Sequence, residues 1–162
     1  MSNSLRIDPL GVYNFYLTLI DSQKTLGTLI SVAVNYFVAG FSECTGIEAT
    51  LEIMEFKEGG RNDHTWKFPV RTSHANITLK HGAVFMVDDL WSWHNDWVTG
   101  NGTRKDGLIV LKDESGRPAK IWKFKRGIPT KWTGPSLNAS QSAVAIESLE
   151  IAHEGLVMEL GA

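Results

Sequence analysis

Residues 47–57 read Ile-Glu-Ala-Thr-Leu-Glu-Ile-Met-Glu-Phe-Lys, and this stretch decides the fold class. Up to Ile53 the odd positions are apolar and the even positions are polar, which is the period-two pattern of a half-buried strand. Beyond Ile53 the phase reverses, because Met54 and Phe56 are apolar and Glu55 is polar. Such a reversal requires an extra residue in the ladder, so we predict a bulge or a sharp twist near Ile53.

Further strands are predicted on both sides of this stretch, where β-branched and aromatic residues alternate with turn signals. They cover residues 12–20, 66–70, 75–80, 107–112, 119–126 and 142–152. In the last of them the phase reverses again, since Val144 and Ile146 lie in one phase and Leu149 and Ile151 in the other. Two reversals in one small domain indicate strands that pack on their own core at one end and on a neighbouring subunit at the other.

One helix is predicted, at about residues 85–98. Its apolar residues Met86, Leu90, Trp93 and Trp97 recur at spacings of four, three and four. The order of strands, one helix and more strands therefore predicts a mainly β fold with a single flanking helix.

The 162 residues suit a single domain, residues 1–162, that buries most of its unfolded surface without disulfides. Residues 23–36 are the least regular part, because Gly27 interrupts them and their apolar positions follow neither period. We predict an insertion or an extended hairpin there.

The composition excludes several classes of partner and location. With 16 basic and 18 acidic residues the net charge is only −2, which offers no general attraction for nucleic acid or anionic membrane. The longest apolar stretch, residues 30–41, contains polar residues and is too short to cross a bilayer, so we expect no membrane insertion by this chain alone. The N-terminal residues lack the features of a secretory signal, and we expect synthesis in the cytoplasm.

No pattern of residues predicts a catalytic, cofactor or metal site. The five histidines match no zinc-ligand spacing, and Cys44 is the only cysteine. A Gly-x-Ser-x-Gly nucleophile motif is absent, and the Gly59-Gly60 pair indicates a turn rather than a phosphate loop. We therefore expect a protein that is not an enzyme and needs no cofactor.

Six tryptophans leave a carbohydrate-binding β-sandwich as an alternative of a different functional class, because exposed indoles stack on sugars. Against this alternative, Trp93 and Trp97 lie on the apolar face of the predicted helix and Trp122 on the apolar side of a predicted strand. These positions favour packing in the core.

A set of polar residues occupies strand positions opposite apolar neighbours. It comprises Glu48, Thr50, Glu52, Glu147, Ser148 and Glu150. The residues alone fit two interpretations, a solvated outer face or the acidic lining of a pore whose charge repels nucleic acid and lets cargo slide.

Seven short motifs follow one another over nearly the whole chain. They are Asp8-Pro-Leu, Val38-Ala-Gly-Phe-Ser-Glu-Cys-Thr-Gly-Ile-Glu, Glu58-Gly-Gly, Asn76-Ile-Thr-Leu-Lys-His-Gly, Leu90-Trp-x-Trp-x-x-Asp-Trp, Trp132-Thr-Gly-Pro-Ser-Leu-Asn-Ala-Ser and Val144-Ala-Ile-Glu-Ser-Leu-Glu-Ile-Ala-His-Glu-Gly-Leu. In this combination and order the chain resembles the tail-tube protein family of contractile phage tails and extracellular contractile injection systems.

The resemblance implies a two-sheet β-sandwich or barrel that assembles into homohexameric rings. The rings would stack into a hollow tube inside a contractile sheath, which drives the tube through a target envelope to deliver DNA or protein cargo. The implied partners are further copies of the chain, the sheath protein, baseplate and tube-cap proteins and the cargo in the lumen, within a virion tail or an extracellular particle. Residues 23–35 look longer than the usual family connection, which leaves a tube-initiator ring at the baseplate as an alternative.

Two surfaces follow from the resemblance as expectations. Contacts between subunits or rings are expected at Met54, Phe56, Glu58, Gly59, Gly60 and Arg61. The six polar strand residues named above, from Glu48 to Glu150, are expected to face the lumen.

Overall fold

The computed structural model describes residues 11, 13–21, 41–60, 63–82, 89–140 and 142–160. Its strands are β1 (Phe15–Asp21), β2 (Phe41–Thr45), β3 (Ala49–Phe56), β4 (Trp66–His74), β5 (Ile77–Gly82), β6 (Lys105–Lys112), β7 (Pro118–Thr133), β8 (Ile146–Ala152) and β9 (Gly155–Leu160). The helix α1 (Asp89–Val98) lies between β5 and β6. The predicted mainly β fold with one helix and two sheets is confirmed for these residues.

Seven of the strands form one antiparallel sheet whose two halves share the long strand β7. The first part of β7 pairs with β6 and β9, and β1 lies beyond β6. The second part pairs with β8, which is followed by β5 and β2. The two parts meet at Arg126, which has a φ of 54°, and Gly127, where an added Cβ would lie 2.9 Å from the Lys105 carbonyl oxygen. Glycine at this point gives β7 the room to pass from one half to the other.

The core lies on one side of both halves and is completed by α1. Its buried members are Leu17, Leu19, Phe41, Ile77, Leu79, Leu90, Trp93, Ile109, Phe124, Leu149 and Ile151. Buried and more exposed residues alternate along these strands. Ile77 and Leu79 on β5 pair with Ile151 and Leu149 on β8, and all four side chains are fully buried. Burial of these side chains is the main stabilising contribution.

The helix is held to the body by tryptophan. Trp93 is 2% exposed, and its indole Nε1 donates to the Thr103 carbonyl oxygen at 2.9 Å. Trp97 donates to the same oxygen at 3.2 Å, and both it and Trp122 pack against the core. The expected core packing of these three tryptophans is therefore confirmed.

The observed strands differ from the predicted ones both before and after residue 112. Before it, β2 was not predicted, and β4 continues to His74, whereas the predicted strand ends at residue 70. β7 continues to Thr133, whereas the predicted strand ends at 126, because Gly127 and Pro129 read as strand breakers. Pro129 is accommodated where the β7–β8 register shifts between Pro129 and Lys131. Strand β9 was not predicted. The helix begins at Asp89, with residues 83–88 and the predicted insertion at 23–36 both outside the described residues.

Replacing Leu149 by alanine is expected to lower the free energy of unfolding by about 2–5 kcal/mol, because it leaves a cavity among fully buried neighbours. The matched control is Leu137→Ala, since Leu137 is 86% exposed and its loss should change stability by less than about 0.5 kcal/mol. Urea denaturation followed by tryptophan fluorescence measures both. Equal effects of the two substitutions would contradict the assignment of the core.

Candidate assembly surface

Strands β3 and β4 form a separate two-stranded sheet, which we call the arm. Every residue of β3 is exposed, and so is every residue of β4 except His74. A strand pair embedded in a domain buries at least one face, as β5 does. The arm exposes both of its faces to solvent, so its stability depends on more than packing within its own chain.

The arm is the outer part of one long hairpin whose inner part is β2 and β5. The ladder of this hairpin is interrupted between Thr45 and Ala49. Thr45 pairs with Thr78 before the interruption and Ala49 pairs with His74 after it, so the pairing register continues with no residue gained or lost. Gly46 makes the interruption, with a φ of 83° and with the Asn76 carbonyl oxygen where a side chain would begin. The hairpin therefore begins in the core and leaves the body at Gly46.

The arm carries an unusual number of exposed apolar side chains. They are Leu51, Ile53, Met54, Phe56, Trp66, Phe68 and Val70, which are between 42% and 56% exposed. Apolar side chains clustered on a surface mark an interaction site, whereas scattered ones do not. The arm is therefore the candidate assembly surface of this protein.

The apolar residues form two patches on opposite faces of the arm. Alternate residues of β3 point to opposite sides, so Leu51 and Ile53 lie on one face near the body and Met54 and Phe56 on the other face near the end. Phe68 and Trp66 stand in register with Met54 and Phe56. We call the first pair the root patch (Leu51, Ile53) and the second group the tip patch (Met54, Phe56, Trp66, Phe68).

The predicted bulge near Ile53 is confirmed, and the extra residue lies in the partner strand. Glu52 pairs with Arg71 and Ile53 with Pro69, which leaves Val70 without a partner in the ladder. Because β3 itself gains no residue, its apolar side chains change face at this point. The bulge thus accompanies the change from the root patch to the tip patch.

Charged pairs flank the two patches. Glu52 forms an ion pair with Arg71, and Lys67 Nζ lies 3.5 Å from Glu55 Oε1. Both pairs are exposed, so each contributes at most about 1 kcal/mol to stability. Their positions opposite each other favour this register over a shifted one.

The residues expected to contact other subunits lie at the outer end of the arm. Met54 and Phe56 belong to the tip patch, and Glu58 accepts a hydrogen bond from Trp66 Nε1 at 3.4 Å. Gly59 and Gly60 form the exposed turn, where Gly60 has a φ of 94°. Arg61 lies outside the described residues. The exposed apolar residues Leu51, Ile53, Trp66 and Phe68 were not among the predicted contacts. The phase reversal at Ile53 could have pointed to Leu51 and Ile53, but not to Trp66 and Phe68.

The six residues expected to face a lumen do not all share one surface. Glu48 is exposed beside the interruption, and Thr50 and Glu52 lie on the arm, on the face that carries the tip patch. Ser148 and Glu150 lie on the side of β8 opposite the core. Glu147 lies on the core side with a side chain only 12% exposed, and its carboxylate accepts a hydrogen bond from Trp132 Nε1 at 3.1 Å. The structure thus separates Glu147 from the other five, and the lumen assignment stays a prediction.

The side of β2, β5, β8 and the end of β7 that faces away from the core is hydrophilic, and we call it the polar face. Its polar residues are Glu43, Thr45, Thr78, Lys80, Lys131, Thr133, Ser148 and Glu150, and the exposed Ile146 lies at one end of the same side, in register with Gly82. Lys80 Nζ lies 2.9 Å from Glu43 Oε2, and Glu150 Oε1 accepts a hydrogen bond from Asn76 Nδ2 at 2.7 Å. The carboxylates of Glu43 and Glu150 balance the ammonium groups of Lys80 and Lys131, so these side chains carry no net charge together. The remaining polar side chains of the face are hydroxyls.

The described residues offer little for chemistry. They contain no group of three or more histidine, cysteine, aspartate or glutamate side chains placed to hold a metal ion. Burial raises the pKa of Cys44 to about 12, which keeps the thiol protonated and unreactive at neutral pH. Among the described helices none has the length and apolar character needed to cross a membrane.

Comparison with known proteins gives a consistent result. A family model described as T4-like virus tail tube protein gp19 matches residues 12–157. No curated protein matches significantly.

Three solved structures of phage-tail-like particles are similar to the chain. One is the anti-feeding prophage baseplate, 6-fold symmetrised, with 20% identity, a TM-score of 0.80 and coverage of 94% of this chain and 97% of that chain. The second is the PVC sheath–tube complex of an extracellular contractile injection system, in the extended state. Its identity is 22% and its TM-score 0.78, and the match covers 99% of this chain and 99% of that chain. The third is the cap that terminates the anti-feeding prophage tube. Its identity is 22% and its TM-score 0.81, and the match covers 98% of this chain and 96% of that chain. At these identities the likeness establishes a shared fold.

Replacing Gly46 by alanine is expected to destabilise the hairpin by at least about 1–2 kcal/mol, because a side chain at a φ of 83° is strained and would meet the Asn76 carbonyl oxygen. Gly59→Ala is the matched control, since an added Cβ there has no atom within 4 Å. Thermal denaturation should separate the two variants clearly. A Gly46→Ala protein as stable as Gly59→Ala would show that the interruption does not require glycine.

Proposed function

We propose, because the chain belongs to the T4-like virus tail tube protein gp19 family, that it is the inner tube subunit of a contractile phage tail or injection particle. Copies would form homohexameric rings, and the rings would stack into a hollow tube that a contracting sheath drives through a target envelope. The family membership confirms the resemblance found in the sequence. The role would be mechanical and structural, without enzymatic activity.

The observation that carries this proposal is the exposed arm. In a lone subunit the root patch and the tip patch are exposed to water. The unfavourable free energy of this exposure grows with the apolar area. In a closed ring each subunit would extend one arm and receive another, so every copy would have its patches covered in the same way. Ring closure would also protect the sheet edges at β1 and β2, which lie at the two ends of the strand order.

The two patches call for two covering surfaces, because they lie on opposite faces of the arm. We propose that the root patch packs on the neighbouring subunit of the same ring, since Leu51 and Ile53 lie close to the body. The tip patch, together with Glu58, Gly59 and Gly60, would reach the next ring. One arm would then join subunits both around the ring and along the tube.

For the lumen we propose the polar face and the adjoining part of the arm. Glu48, Thr50, Glu52, Ser148 and Glu150 would contribute to this wall, whereas the carboxylate of Glu147 is engaged with Trp132 inside the subunit. A hydroxyl-rich wall with paired charges would bind neither DNA nor protein tightly. Cargo of either class would therefore pass along it.

The proposed partners follow from the same reasoning. Similar chains occur in sheath–tube, baseplate and cap complexes of injection particles, which supports contacts of this chain with a sheath, a baseplate and a cap. The likeness to a baseplate chain keeps a tube-initiator ring as a second candidate. The Trp91–Trp132 pair does not favour the carbohydrate-binding alternative, because the two rings meet edge-on at 4.7 Å and form no flat platform.

Serine substitutions in the two patches are expected to stop assembly at different stages. Met54→Ser with Phe56→Ser should leave single rings that no longer stack, and Leu51→Ser with Ile53→Ser should leave monomers. Leu137→Ser is the control, because Leu137 is exposed outside the arm, and it should form tubes as the unmodified protein does. Negative-stain electron microscopy and light scattering measure the products. Unmodified protein that stays monomeric at high concentration, with no tube in purified particles, would contradict the proposal.

A cysteine introduced at Thr50 is expected to become shielded on assembly. In the free subunit Thr50→Cys should react with a maleimide on a large polymer as fast as with a small maleimide, because Thr50 is exposed. In tubes the polymer reagent should react several-fold more slowly, while the small one still enters the lumen. Cys44 gives little background, since burial raises its pKa to about 12. Equal reaction with both reagents in tubes would place residue 50 outside the lumen.

A further inference from the structure

The part of the sheet formed by β2, β5, β8 and the end of β7 has two unlike ends. The arm leaves one of them, where Ile77 begins β5 and pairs with Ile151. At the opposite end Gly82 is the last residue of β5, and it pairs with Ile146, the first residue of β8. Ile146 is 46% exposed there, although it is a large apolar residue. The end of the sheet farthest from the arm is therefore not purely hydrophilic.

Val144 joins Ile146 at this end. It is 77% exposed, and its Cγ1 would lie 3.7 Å from a Cβ added to Gly82. The side chains of register partners point to the same face, so that added Cβ would stand beside Ile146. Gly82 thus leaves both apolar side chains uncovered on that side, and a glycine inside a strand allows another chain to approach closely.

An exposed indole extends this end towards the helix. Trp91 of α1 is 44% exposed, and its ring meets the ring of Trp132 at 4.7 Å. Trp132 Nε1 in turn donates to the carboxylate of Glu147, which follows Ile146 in β8. We call Trp91, Val144 and Ile146 the end patch.

The chain beside the end patch carries no charge. Residues 134–145, which connect β7 to β8, contain no aspartate, glutamate, lysine or arginine, although these four types make up 21% of the sequence. A connection that only faces water has no reason to avoid them. The buried centre of a protein–protein interface is depleted in charge, because an unpaired charge is costly to remove from water. Exposed apolar groups and missing charges together indicate a surface that another chain covers.

We propose that the end patch receives the tip patch of a second copy of this chain in the next ring. In a stack of rings that all face the same way, the end from which the arms leave faces the opposite end of the next ring. The tip patch and the end patch belong to these two ends. The inference rests on the proposed function, because it requires stacked rings.

The contact joins two different surfaces, and this determines how far a stack can grow. Each ring would offer tip patches on one side and end patches on the other, so another ring could always be added. A contact of two tip patches with each other would require rings that face each other, and it would stop at a pair. Only a contact of tip with end produces a tube.

The chemistry of the two patches is compatible. Both consist of large apolar side chains, so their contact removes apolar area from water on both sides. The charges nearest to the tip patch on β3 and β4 already balance within one subunit, since Lys67 Nζ lies 3.5 Å from Glu55 Oε1. The end patch brings no charge of its own to the contact. Little desolvation of unpaired charge therefore opposes it.

Removing the end patch is expected to give the same product as removing the tip patch. Val144→Ser with Ile146→Ser should leave intact single rings that do not stack. Every subunit of a ring loses the contact at once, so the association constant between rings should fall by well over about ten-fold. Val98→Ser is the matched control, because Val98 is 71% exposed and lies outside both patches, and it should form full-length tubes.

Mixing the two double variants tests the pairing of the patches. Rings of Val144→Ser with Ile146→Ser keep their tip patch, and rings of Met54→Ser with Phe56→Ser keep part of the arm but need only their end patch. One contact can then form between one ring of each kind, so the mixture should contain pairs of rings and nothing longer. Side views in negative-stain electron microscopy and sedimentation velocity measure this. A mixture that stays as single rings, or full-length tubes of the Val144→Ser, Ile146→Ser protein alone, would overturn the inference.

Cross-linking provides a second measurement, which does not depend on losing assembly. In tubes of Met54→Cys with Val144→Cys, a short bis-maleimide should link each chain to one copy above and one below, which gives a ladder of products on a denaturing gel. Met54→Cys with Val98→Cys is the control and should give no ladder. Cys44 adds little background, since burial raises its pKa to about 12.

The outcomes separate this inference from the proposed function. Tubes that form but give no ladder, or a cross-linked dimer from Met54→Cys alone, would overturn the contact of tip with end and leave the tube role standing. Unmodified protein that forms neither rings nor tubes would overturn both.

Discussion

The structure depends on the pairing register of one long hairpin. Its inner part, β2 and β5, is fixed by burial against β8, and its outer part inherits the same register across Gly46. Because the register is set in the core, the positions of the exposed patches on the arm are set there too. A slip by one residue would exchange the faces of the arm and move each patch to the wrong side.

Much of the fold could be predicted from periodicity, because burial on one side of a strand leaves a readable alternation. The helix, the core tryptophans and the bulge near Ile53 were all predicted correctly. The strand that carries the extra residue could not be predicted, since a phase reversal in β3 is equally consistent with a bulge in either partner. The length of β7 was underestimated, because Gly127 and Pro129 are strand breakers unless a bend and a bulge accommodate them.

The candidate site was only partly predictable for a related reason. A sequence shows that a side chain is apolar, but only the three-dimensional arrangement shows that nothing in the same chain covers it. Met54 and Phe56 were predicted as contacts, whereas their register partners Phe68 and Trp66 became visible only with the pairing of β3 and β4. Glu147 shows the opposite case. The sequence pattern predicted a residue that faces solvent or a lumen, whereas its carboxylate accepts a hydrogen bond from the Trp132 indole inside the subunit.

The buried thiol of Cys44 has a consequence for durability. Oxidants and disulfides react with the thiolate, and a pKa of about 12 leaves almost none of it at neutral pH. Cross-links between closely packed copies would therefore form extremely slowly even in aerated surroundings, where cytoplasmic reductants are missing. In a particle built from this chain, Cys44 would therefore remain a free thiol.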